Sequence, residues 1–409
     1  MSYYLLPKKQ MKIELYPYIS PHAITQPCIS FSIYNYINDM LSKINIIETD
    51  TNKFLSTSDT TSNLNQLFHY IHPYDFIFTR VPNSKFSVSK LKPFSNIFNI
   101  MMEIVHTFNI LDSFINLNIN TLSVGLNAPS VIEVLNILRE DKKDNHYNSI
   151  IDISYIKQNI YDTCSYRETT YDFLYYELDD TDYIGDNYCL GILYFVLNIL
   201  SSQSIGGMCI IKLDYIFYKP IVDILFMFST IYDSVYIFKP CTSSVLTGER
   251  FLVCKNFLYD SQKSSLYYSY FLSIHKLIRT IGDNHIHGLV NNQIPYYLTT
   301  RIEEANIIIG QQQLDSLDLL VNLYRNKNRE EKMETLKKNN IQKCIQWCEK
   351  YKIPYNKFTD KINIFLTTDK SLEEHGTENI FLPSKIFKSA ESIDENESTT
   401  QDNICAECY

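Results

Sequence analysis

Three charged side chains stand at the ends of apolar runs between Ile205 and Phe257. Lys212 interrupts Met208–Leu213, Lys239 closes Val235–Phe238, and Glu249 stands at the mouth of Arg250–Cys254. A lysine at the end of a buried strand costs desolvation energy unless a carboxylate or a phosphate-bearing ligand meets it. Taken singly, each could be a side chain that reaches solvent along its own stem or sits in a solvated turn. Taken together, in this order, they describe a charged cluster built to hold a ligand.

The elements that must position them follow from the same stretch. Gly206-Gly207 reads as a turn that releases Met208–Leu213, a run suited to a strand buried on both faces. Ile216, Phe217, Ile221, Ile224, Leu225 and Phe228 then recur at helical spacing, long enough for a crossover helix. A polar turn, Cys241–Gly248, separates the last two runs and carries Ser243 and Ser244. In an open α/β sheet, ligands bind outside the carboxyl ends of strands. The turn after Pro240 leaves no room for a parallel crossover, so Arg250–Cys254 is expected to run antiparallel.

Upstream, VPNSKFSVSKLKPF offers Lys85, Lys90 and Lys92 before a predicted helix, Ser95–Leu111. Thr121–Val124 reads as a strand and Val131–Arg139 as the helix after it, with Gly125, Asn127, Ala128, Pro129 and Ser130 between them. Ser149–Ile153, holding Asp152, reads as a second strand, and Tyr171–Leu178, holding Asp172 and Glu177, as the next. Cys189–Ser202 is a buried helix that feeds Ile205. The alternation predicts a mostly parallel, seven-stranded sheet flanked by helices between about residues 80 and 260.

The succession Gly206-Gly207, strand to Lys212, helix, strand to Lys239-Pro240, Ser243, Thr247, Glu249 and Phe251 resembles the FtsJ-like RNA 2′-O-methyltransferases, nearest to the eukaryotic and viral cap-methylating branch. The resemblance implies a Rossmann-like S-adenosylmethionine methyltransferase fold with helical N- and C-terminal extensions. It implies transfer of a methyl group to a ribose 2′-hydroxyl of RNA, with capped mRNA as the expected substrate. Lys212, its basicity lowered by burial and neighbouring cations, would hold the hydroxyl and take its proton. Glu177, Glu249 and Lys90 (or Lys92, less closely Lys85) would tune the same cluster. Gly125, Asn127, Ala128, Pro129, Ser130 and Asp152 would bind the donor, and Lys239, Ser243 and Ser244 the substrate. The scheme needs no metal.

The chain departs from the family at four places. Ser130-Val131 stand where two glycines belong, Val124 where the strand ends in an acid, Ser244 where arginine is usual and Glu177 where aspartate is usual. Glycines there let backbone approach the donor's amino-acid end, and about 1 Å of misplacement is expensive in catalysis. A second class therefore stands beside the enzyme: a methyltransferase-fold protein without catalysis, a structural or stimulatory subunit of an RNA-processing or virion complex.

Composition bounds both readings. The chain has 409 residues and a net charge of −9, so any RNA contact must come from a local basic patch. Abundant Tyr, Asn, Ile and Lys fit an A+T-rich coding sequence, as in a large DNA virus or a protist. No secretory signal and no apolar run of about 18 residues is present, and scattered cysteines suit a reducing cytoplasm, of a host cell or virion if viral. The chain divides into an N-terminal extension (1–80), the core (81–260), a mainly helical extension (261–366) and an acidic tail (367–409) expected to be disordered. Within the first of these, Glu48–Ser62 reads as a loop. His285 and His287 read as a surface loop, and Cys344, Cys348, Cys405 and Cys408 as free thiols, with zinc the alternative.

Overall fold

The computed structural model describes residues 2–8, 13–24, 26–54, 67–150, 170–179, 185–259, 265–282, 284–291, 293–326 and 329–358. All the described residues fall within one compact unit, 1–358. The acidic tail, Cys405, Cys408 and Asp152 lie outside the described residues.

The chain opens with β1 (Ser2–Leu6), β2 (Leu15–Ser20), α1 (Phe31–Phe54) and α2 (Ile97–Phe108). The centre follows as β3 (Asn120–Val124), α3 (Ala128–Leu138), β4 (Asn145–Ser149), β5 (Tyr171–Tyr176), α4 (Gly185–Ser202), β6 (Gln203–Leu213), α5 (Lys219–Ile231), β7 (Tyr232–Lys239) and β8 (Arg250–Phe257). Beyond it lie α6 (Ser265–Thr280), β9 (His285–Val290), α7 (Tyr296–Arg325) and α8 (Arg329–Lys350).

Seven strands form one sheet in the order β1-β7-β8-β6-β5-β3-β4. Strands β4, β3, β5 and β6 pair in parallel. Strand β8 runs antiparallel between β6 and β7, as the short turn requires. The fold is α/β with a mostly parallel, Rossmann-like sheet. The seventh strand, however, comes from the N-terminal segment: β1 pairs antiparallel with β7, Ser2 opposite Lys239 and Leu6 opposite Val235. Five residues at a sheet edge are too few to show a period.

Both sheet faces are covered, and the alternation of side chains shows how. Leu174, Tyr176, Cys209, Ile211, Ile237 and Leu252 join one core with α4, α5 and α6. Phe173, Tyr175, Met208, Ile210, Phe238 and Phe251 join the other with α2, α3 and α8. Such two-sided burial gives continuous apolar runs rather than alternating ones, which is why β6 and β8 were readable.

Elsewhere the expected boundaries move. Strand β4 occupies Asn145–Ser149, so the expected strand Ser149–Ile153 shares only Ser149 with it and its residues 151–153 lie outside the described residues; β4 is a sheet edge, where polar residues are tolerated. Helix α1 continues through Glu48 to Phe54, although its Thr/Asp/Asn composition reads as loop. Gly206-Gly207 lies inside β6, with Gly206 at φ +76°, at a register irregularity between Tyr171 and Phe173 of its neighbour. His285 and His287 belong to β9, which pairs with β2, and His287 packs edge-on against Tyr18. Among the described residues no group of three His, Cys, Asp or Glu side chains could hold a metal ion.

Candidate active site

The chain passes from β3 outward to β4, then returns to β5 on the other side of β3. The carboxyl ends of β3 and β5 therefore flank the point where the strand order reverses, and there an open α/β sheet leaves a crevice. The turn Gly125-Leu126-Asn127 leaves β3, and Glu177 follows β5 directly.

These two strand ends are tied together. Glu177 Oε1 accepts the Asn127 backbone N–H at 2.5 Å, and Oε2 accepts Tyr175 Oη–H at 3.0 Å and Asn127 Nδ2–H at 3.3 Å. Gly125 has φ +134°, and a Cβ there would fall inside the Glu177 side chain. Both the torsion and the space demand glycine. Glu177 is buried, and burial raises its pKa against the pull of Lys212 and the three donors.

Lys212 and Glu249 meet at the same end of the sheet, Nζ to Oε1 at 3.4 Å, with both side chains largely buried. The second Glu249 oxygen accepts the Ser244 N–H at 3.1 Å, so this carboxylate fixes the 241–249 turn as well as the amine. Asp214, two residues after Lys212, carries a buried oxygen for which the structure gives no hydrogen-bond donor. Burial raises its pKa to about 6, against the attraction of Arg250 and Lys239.

Of the residues read as substrate contacts, Ser244 lines the cleft, whereas Lys239 and Ser243 are bonded within the turn. Lys239 Nζ donates to the carbonyls of Ser244 (2.5 Å), Thr247 (3.3 Å) and Glu249 (2.5 Å), so it clamps the turn from within. Burial depresses its pKa to about 8. Ser243 Oγ donates to Pro240 O, an intraturn bond. From the other side Glu103 of α2 accepts the N–H groups of Cys241 and Thr242. A lone glutamate in the apolar run IFNIMMEIVHTF is a buried charge in need of donors, and that signal was present in the sequence.

A cleft of about 660 Å³ opens beside the ion pair. Asn127, Lys212, Ser244, Glu249 and Asn96 line its polar side, and Leu41, Ile44, Phe68, Leu317 and Leu320 an apolar side supplied by the extensions. His69 and Asp75 also face it, with Nδ1 to Oδ2 at 2.6 Å; that bond raises the imidazole pKa. No motif spacing marks either residue.

Other expected site residues do not gather here. Lys85, Lys90 and Lys92 are exposed and are not among the residues lining the cleft; the Lys90 N–H bonds to Pro354 O. Ala128 and Pro129 begin α3. Ser130 Oγ is taken by Ser95, accepting its N–H at 2.8 Å, and Val131 is fully buried in the core. Where the family resemblance puts glycines for a ligand, this chain packs its own segments together.

No family model matches the chain, and no curated protein matches it. Among solved structures it is similar to a protein described as a ribosomal RNA methyltransferase from Plasmodium falciparum. That likeness has 17% identity and a TM-score of 0.32, covering 41% of this chain and 99% of the other. It is also similar to human methyltransferase-like protein 13 in complex with SAH, at 13% identity and TM-score 0.23, covering 45% and 90%. At those scores neither likeness assigns an activity.

Proposed function

We propose that the chain is an S-adenosylmethionine-dependent RNA ribose 2′-O-methyltransferase whose expected substrate is capped mRNA. The observation that carries this reading is the Lys212–Glu249 pair at 3.4 Å, set on an open cleft beside the Glu177 carboxylate at the sheet's reversal point. A sulfonium donor is favoured by an anionic group, and the Glu177 carboxylate beside Asn127 supplies one; its side chain fills the space next to Gly125, so the donor fits only where that contact opens. Glu177, Gly125 and Asn127 would hold it, and when bound it supplies an electrophilic methyl group. Lys212 holds the ribose hydroxyl and steers its proton, Glu249 fixes the Lys212 amine, and the Lys239 clamp keeps Glu249 in place. Positioning of this kind is where such a reaction gains most of its rate.

One observation favours the second reading, a methyltransferase-fold subunit without catalysis: the Asn127 N–H already has Glu177 as its acceptor. Incubating the full chain with S-adenosylmethionine and capped RNA, then analysing nucleosides by mass spectrometry, separates the two. The enzyme yields a 2′-O-methylated nucleoside, lost in Lys212→Ala; the subunit yields none with either protein.

A further inference from the structure

The surface left over from the site is the loop that precedes α2. Residues 80–94 contain Arg80, Lys85, Lys90 and Lys92 and no acidic residue, and residues 350–358 contain Lys350, Lys352 and Lys357 and none either. The two segments are paired. Ser89 bridges Tyr355 antiparallel, the Lys90 N–H donates to Pro354 O at 2.9 Å, and the Asn356 N–H donates to Val88 O at 2.8 Å. The pairing spans residues 88–90 and 354–356, a short ribbon that carries Lys90; Lys85, Lys92, Lys352 and Lys357 lie on the segments flanking it, Arg80 opens the first segment and Lys350 ends α8, and all seven are exposed.

Two aromatic rings stand among them: Phe86 is 60% exposed and Phe94 61%. Two carboxylates lie alongside, and both are engaged. Glu349 accepts Tyr355 Oη–H at 2.8 Å, and Glu133 accepts the Phe94 N–H at 3.1 Å. Against a whole-chain charge of −9, a local excess of this size is the electrostatic footprint of a polyanion site. Interleaved exposed aromatics add faces on which bases stack without regard to sequence.

The ribbon also leads somewhere. Phe94 is followed at once by Ser95 and Asn96, which line the cleft that holds Lys212 and Glu249. We infer that the ribbon with its flanking segments, residues 80–94 and 350–358, is a track for single-stranded RNA, gripping the phosphate backbone and delivering the strand to the cleft. This inference rests on the RNA-methyltransferase reading for its choice of polyanion. It also reassigns Lys90: the residue grips the substrate's backbone and takes no part in the charged cluster.

The test is binding of a fluorescein-labelled, unstructured RNA of about 20 nucleotides to the full chain, followed by anisotropy across a salt series. Single-strand binding loses about 0.7 in the slope of log affinity against log salt for each phosphate contact removed. Lys85→Ser/Lys90→Ser/Lys352→Ser should therefore flatten the slope by about 2 and weaken binding at low salt, with an unchanged melting temperature. Phe86→Ser should weaken binding without changing the slope. An identical slope and affinity in the triple variant would overturn the inference. So would wild-type protein that ignores RNA, or that prefers vesicles of anionic lipid. Ribbon-dependent RNA binding by a protein that neither binds donor nor transfers methyl would uphold the track while overturning the enzymatic reading.

Discussion

Glu249 links Lys212 to the turn that follows β7: one carboxylate oxygen lies 3.4 Å from the Lys212 amine and the other accepts the Ser244 N–H at 3.1 Å. One carboxylate thus contacts both the amine and the turn, and its two functions can be separated by substitution. Lys212→Ala should lower methyl transfer by about 10²–10⁴-fold, while the melting temperature moves by only a few degrees. Glu249→Gln, which keeps an acceptor for Ser244, should lose activity with less loss of stability than Glu249→Ala. Paired activity assays and thermal melts check both statements.

Lys239 should behave in the opposite way. Its amine satisfies three carbonyls of the 241–249 turn, so Lys239→Met leaves buried acceptors unpaired. Such groups cost about 1–3 kcal/mol each when stranded. Urea unfolding should show a loss of at least about 2 kcal/mol, with activity falling because the turn no longer holds Glu249. A variant as stable as the wild type would place Lys239 outside the turn.

Asp214 gives a pH signature. Its folded pKa of about 6 stands above the ordinary 3.8, so the folded chain binds more protons than the unfolded chain between those values. The stabilising contribution of neutral Asp214 is full below about pH 4 and is lost as pH rises through 6. By the usual conversion that amounts to about 3 kcal/mol across the window. Asp214→Asn should remove this part of the pH dependence; urea midpoints at pH 4 and pH 7 that run parallel to the wild type would contradict it.

Gly125→Ala tests the contact across the reversal point. The added methyl meets the Glu177 side chain in a backbone conformation that L-residues rarely adopt. A loss of about 1–3 kcal/mol from strain is expected, together with weaker donor binding. The cost should be smaller when measured in a Glu177→Gly background, where the clash is absent and only the torsion remains, so the two substitutions should be non-additive.

How much of this was legible depended on what each residue touches. The central strands could be read because both of their faces are buried, which writes an unbroken apolar run into the sequence. Lys212 and Glu249 could be read because charge at the end of such a run is costly. Strand β1 could not, being a five-residue sheet edge contributed by a segment far from its partner. Lys239 was legible as a buried cation, but its partners are backbone carbonyls, which carry no side-chain signature. Lys85, Lys90 and Lys92 look alike in the sequence; the structure shows all three exposed and the Lys90 N–H bonded to Pro354 O, a backbone partner far away in the chain that no spacing announces. The apolar wall of the cleft was hidden because Leu41, Phe68 and Leu317 come from three distant parts of the chain.

Everything proposed for the site presupposes that it takes a methyl donor, and calorimetric titration of the full chain with S-adenosylmethionine measures that without knowledge of the RNA. Saturable binding to one site per chain is expected, weakened at least tenfold in Glu177→Ala. Absence of binding heat at several temperatures and millimolar donor, from a protein that melts cooperatively, would contradict it and leave the catalytically silent subunit in its place.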